Sequence, residues 1–186
     1  MDDVNVGVFH GTALERGGGV RVAEEFARTF KAPLYLGICA DHVPEKVPED
    51  IETHVFADTF WADIVRDNPR LRNLYQLLHF QHIQQLHEFD AVIQSGNSTM
   101  WYVPPEDQAL IRYVHSPPGP SYHRFSDVGG TTTSVLKEMI SRQLRLPYER
   151  LPDVQVANSE TTQNRVRKYY DRDVDILYPP VDISQY

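Results

Sequence analysis

The sequence is poor in the features that would place it in several large classes of protein. It holds a single cysteine, Cys39, so an internal disulfide is excluded and the chain suits a reducing compartment. It holds no apolar run approaching the ~18 residues that a membrane-spanning helix needs. The opening Met1-Asp2-Asp3 is acidic and leads straight into a strand-like segment, which is not the pattern of a secretory signal. Positive charge is also scarce: 18 Lys and Arg stand against 26 Asp and Glu, a net charge of −8. A general nucleic-acid binder held by phosphate contacts is therefore not expected. No internal repeat and no low-complexity segment is visible. What is present is ordinary globular material: 41% hydrophobic and 24% charged residues over 186 positions, enough for one domain with a proper core.

Along the chain, short β-branched runs alternate with helical periodicity. Val4–Phe9 reads as a strand, followed by a loop from His10 to Gly19. The stretch VRVAEEFARTF then places Ala23, Phe26, Ala27 and Phe30 on one helical face. Further strands are expected at Leu34–Cys39, Ile51–Phe56, Ala91–Ile93, Ala109–His115, Val154–Ala157 and Val174–Tyr178. Trp61–Phe89 reads as mostly helical with a break near Pro69, and Leu71, Leu74, Leu78, Ile83 and Leu86 are its expected buried side. A second amphipathic helix is expected over Val135–Leu146, and a third follows a cap at Asn158-Ser159 and ends near Tyr170. This order predicts an α/β fold: a Rossmann-like, three-layer domain with a mostly parallel sheet. Ligands of such sheets sit at the carboxyl ends of the strands.

That rule singles out a few residues. Gly17, Gly18 and Gly19 lie between the first strand and the first helix, where a bare backbone and free helix N–H groups suit a phosphate; the alternative is a turn that needs positive φ. The loop is not a Walker loop, since no Gly-Lys-Ser/Thr follows. A dinucleotide reading would use Asp41 for a ribose, but the third glycine of that fingerprint falls on Val22. His115 follows a strand and precedes Ser116-Pro117-Pro118, a place for an acid/base group or a contact to a substrate hydroxyl or phosphate. His10, Asn97, Ser98 and Tyr122 are candidate acceptor contacts. His79, His82 and His87 share the long helical segment at a spacing too wide for one metal face, and Cys39 reads as packing. The stretch LKEMISRQLRLPYER is amphipathic, which suits either core packing or a peripheral contact with an anionic membrane.

Three segments carry a resemblance: GVFHGTALERGGGVRVAEEFARTF, RYVHSPP and VANSETTQNRVRKYYDRDVDILYPPVD, in this order. Together they resemble the N-terminal domain of family 4 glycosyltransferases, which have the GT-B architecture of two Rossmann-like domains across a cleft. The resemblance implies retaining transfer of a sugar from a nucleotide-sugar donor to an acceptor hydroxyl; a lipid-linked acceptor is an option that rests on the amphipathic stretch alone. It assigns donor-phosphate contact to Gly17, Gly18 and Gly19, the catalytic histidine to His115, and substrate-side positions to Asn158 and Ser159. It makes residues 1–178 the acceptor-side domain and residues 179–186, which include Pro179, Pro180, Val181 and Asp182, the start of an interdomain hinge. The Glu-x7-Glu pair of that family's second domain has no match, because no Glu here is followed by Glu eight positions later. The chain is therefore expected to lack its donor-binding domain and to be inactive alone. No cofactor and no metal are expected; a cytoplasmic location is, with the inner membrane surface as an option within it. Two other readings compete: a non-catalytic nucleotide- or phosphate-binding module, such as one subunit of a two-chain enzyme, and a fragment of an NAD-dependent oxidoreductase.

Overall fold

The computed structural model describes residues 4–57, 59–116 and 152–181. They form an α/β domain around one seven-stranded, all-parallel sheet. The strands are β1 (Val6–Ala13), β2 (Leu34–Cys39), β3 (Thr53–Val55), β4 (Ala91–Ser95), β5 (Ala109–Val114), β6 (Val154–Ala157) and β7 (Asp175–Ile176), in the order β3-β2-β1-β4-β5-β6-β7. β1 is an interior strand, with Val8 opposite Leu34 of β2 and Val6 opposite Ala91 of β4. The chain switches from building one side of β1 to the other between β3 and β4. A crevice at such a switch point is where open parallel sheets bind ligands.

Successive residues of each strand point to opposite faces, and both faces are covered. Val8, Leu34, Leu36 and Ile93 pack with α1 (Gly18–Phe30). Phe9, Tyr35, Val92 and Leu110 pack on the other side with Phe80, Ile83, Leu86 and Trp101. A smaller cluster joins Val114 and Ala157 to Val166 of α4 (Glu160–Tyr170).

Several expected boundaries shift. β1 runs on to Ala13, so His10 lies inside the strand and the loop to α1 is only residues 14–17. Phe30 is half exposed, and the inward stripe of α1 is Val20, Ala23, Glu24 and Ala27. The buried Glu24 is tolerated because Arg16, just before the helix, meets it with two hydrogen bonds of 2.8 and 2.7 Å. β3 and β7 are shorter than the apolar runs that suggest them.

The long helical segment is broken up. α2 (Phe60–Arg66) and α3 (Pro69–His79) are followed by 3₁₀ turns at Phe80–His82 and Gln84–Glu88. His79, His82 and His87 thus lie on three different elements rather than on one helix. Ile83 and Leu86 are buried as expected, but Leu71, Leu74 and Leu78 are exposed. The inward position of α3 is instead Gln76, whose amide donates to Thr12 Oγ1 at 2.6 Å. Phe60, Trp61 and Ile64 of α2 are exposed as well. No helix among the described residues is long and apolar enough to cross a membrane. The amphipathic stretch 135–146, Tyr122 and Asp182 lie outside the described residues.

Candidate functional site

The carboxyl ends of β1, β4 and β5 and the first turn of α1 converge on two imidazoles. Register places His10 of β1 directly beside Ser95, the last residue of β4, and Ser95 beside Tyr113 of β5. His115 follows β5 by one residue. Ser95 Oγ lies 3.2 Å from His10 Nδ1 and 2.8 Å from His115 Nε2, so one buried hydroxyl joins both rings. His10 Nε2 lies 3.0 Å from the Thr12 carbonyl oxygen. The two rings stand edge to face with centroids 6.4 Å apart, and Tyr113 meets His115 in the same way at 4.9 Å.

Burial decides the charge of this pair. Loss of solvent, and secondarily the neighbouring His115, push His10 from its ordinary value of 6.5 down to about 4. Burial also lowers His115. Both are neutral imidazoles near pH 7.

The last of the three glycines, Gly19, lies against this pair. A Cβ at Gly19 would sit 3.3 Å from His10 Cε1 and 3.7 Å from His115 Cε1. A Cβ at Gly17 or Gly18 would meet nothing within 4 Å. None of the three has a positive φ; among the described glycines only Gly96 does, at 94°. A turn that needs left-handed backbone is therefore not why Gly17–Gly19 are glycines. Gly17 and Gly18 leave a bare surface at the start of α1, and Gly19 makes room for the two imidazoles; Gly17 caps the helix with no side-chain bond and no acid stands in the first turn. The N–H groups there and the positive end of the helix dipole favour an anion.

Gly96 has a different reason to be glycine. Its backbone, φ 94° and ψ 155°, belongs to a region that side chains disfavour strongly. It turns the chain out of β4 directly beside His10, 3.4 Å from Cε1 to the position a Cβ would take.

The remaining expected residues separate into two groups. Ser159 caps α4, its Oγ accepting from Thr162 N at 3.3 Å and lying 3.0 Å from Asn158 Oδ1. Thr162 Oγ1 in turn donates to the His115 carbonyl at 3.2 Å, so the cap of α4 and the backbone of His115 are tied together. Asn97 is exposed and lines a shallow recess with Gly96, Met100, Arg112, Tyr113 and Gln155. Ser98 is turned away from the histidines: its Oγ bonds Thr12 Oγ1 at 3.0 Å and fills the space a Cβ on Gly11 would occupy. Asp41 is exposed and held by Arg66 at 2.8 Å, which lowers its carboxyl below the usual range.

Ser95, Thr12 and Arg112 are the site residues that sequence reasoning does not single out by role. Arg112 is buried in β5, with its Nε donating to Gln94 Oε1 at 3.0 Å. The strand-end rule points to the neighbourhood of Ser95, but nothing local shows that it has two histidine partners. Among the described residues, no group of three or more His, Cys, Asp or Glu is placed to hold a metal.

No protein-family model matches the chain, and no curated protein matches it.

Proposed function

We propose that this chain is the acceptor-side domain of a retaining glycosyltransferase, one that moves a sugar from a nucleotide-sugar donor to an acceptor hydroxyl. The observation that carries the reading is the open glycine surface at Gly17 and Gly18, at the start of α1, which continues into Gly19, whose Cβ position lies 3.7 Å from the neutral His115 at the sheet's carboxyl edge. A donor's diphosphate would rest on the N–H groups of this turn, with its sugar toward His115. In the reaction the bond from the anomeric carbon to the diphosphate oxygen breaks, a bond to the acceptor oxygen forms with the configuration retained, and the acceptor's proton passes to the departing diphosphate. Ser159 contributes through Thr162, which fixes the backbone of His115.

Half a cleft cannot hold both substrates in line, and positioning supplies roughly 7–11 kcal/mol of a barrier. The isolated chain is therefore expected to bind weakly and to turn over negligibly, with the donor contacts completed by a second domain beyond residues 179–186. The test has two steps. An immunoblot of source cells with an antibody to this chain is expected to give a band near twice the mass of the 21.4 kDa chain. That full-length product, incubated with a panel of nucleotide sugars and cell extract as acceptor, is expected to transfer labelled sugar. A band near 21 kDa with no partner chain, or a full-length product that binds nucleotides but transfers nothing, overturns the reading in favour of a binding module.

A further inference from the structure

We propose that Ser95 and His10 are positioning residues that fix the proton of His115, through a one-way chain of hydrogen bonds anchored on the Thr12 carbonyl. The direction follows from what each atom can do. A carbonyl only accepts, so His10 Nε2, 3.0 Å from the Thr12 oxygen, carries the hydrogen. His10 is 5% exposed, and a second histidine faces it with no acid among its partners, so it is neutral and has one ring hydrogen to place. Two backbone groups favour a hydrogen on this ring, those of Thr12 and Ser95, but only the Thr12 carbonyl stands in hydrogen-bond geometry to a ring nitrogen, so the hydrogen stays on Nε2 and Nδ1 is a lone pair. Ser95 must then donate its one hydrogen to His10 Nδ1. The Ser95 oxygen has only acceptor capacity left, so His115 Nε2, 2.8 Å away, is the donor. His115 is thereby held as the Nε2–H tautomer, and Nδ1 keeps its lone pair. Among the described residues nothing hydrogen-bonds to that Nδ1.

The consequence is a choice of ligand chemistry. A lone pair accepts from a hydroxyl and repels a phosphate oxygen. At neutral pH His115 therefore recognises a sugar or acceptor hydroxyl, and the phosphate is left to the glycine turn. The relay follows from the hydrogen bonds alone; only the identity of that hydroxyl rests on the glycosyltransferase reading.

Long-range ¹H–¹⁵N spectra of the histidine rings, recorded on this chain near pH 7.5, read the tautomers directly. Both His115 and His10 are expected as Nε2–H forms, and a His115 found as Nδ1–H overturns the proposal without any variant. In Ser95→Ala, His115 is expected to average between tautomers while His10 stays Nε2–H on Thr12. In His10→Phe the serine hydrogen has lost its acceptor and is expected to turn onto His115 Nε2, shifting His115 toward Nδ1–H. Folded variants that leave the His115 pattern unchanged overturn the relay, since a purely structural serine would not move it. Sugar transfer by the full-length product is measured separately. Transfer without the tautomer pattern removes the relay alone; the pattern without transfer removes the glycosyltransferase reading alone.

Discussion

His10 is an imidazole in the middle of a sheet, where its charged form is costly. Its folded value of about 4 lies below the ordinary 6.5, so between those pH values the unfolded chain binds more protons than the folded one. Stability is then full above about pH 6.5 and declines as pH falls toward 4. His10 alone accounts for about 3 kcal/mol of that decline. Chemical denaturation of wild type and His10→Gln across this window checks it: the variant is expected to show a shallower pH slope. Gly18 makes the opposite kind of prediction. It is helical with open space around it, so Gly18→Ala should raise stability by up to ~1 kcal/mol while weakening nucleotide-sugar binding by the full-length product. A thermal melt and a binding titration on the same variant separate the two effects. The glycines and His115 are legible in the sequence because each sits where a strand hands over to another element. The burial of His10 is not, because its partner Ser95 lies 85 residues away and only pairing of β1 with β4 reveals it.

At the scale of elements, α4 is legible to the residue. Ser159 is a strong cap, Glu160 follows it against the dipole, and the helix ends at Tyr170. Ser159→Ala is expected to cost about 1 kcal/mol, and in a full-length enzyme to reduce turnover as well, because Thr162 loses the cap that steadies it against the His115 carbonyl. Urea unfolding and initial rates check the pair. α3 misleads for a physical reason. Its leucines recur at helical spacing, yet the face turned inward carries Gln76, whose amide finds Thr12 and the Gly11 carbonyl. A buried amide with partners is tolerated, and hydrophobic periodicity cannot report partners. Leu74→Gln should therefore change stability by no more than ~0.5 kcal/mol, whereas Leu86→Ala should cost ~2–5 kcal/mol. Denaturation midpoints of the two variants settle which leucine belongs to the core.

For the whole molecule, alternation of strands and helices is enough to predict a parallel, doubly covered sheet. The order of strands needs the structure. That order puts β1 inside the sheet, with β2 on one side and the later β4 on the other. Residues near 10 and 95 must therefore meet before the site exists. During synthesis at roughly 5–20 residues per second, β1 waits ~4–16 s after leaving the ribosome for its second neighbour. Through that interval an interior, largely apolar strand offers an unpaired edge to any other nascent chain. The same topology that gathers the histidines beneath the glycine turn thus makes the nascent polypeptide a client for chaperones, with its period of risk ending when β4 emerges.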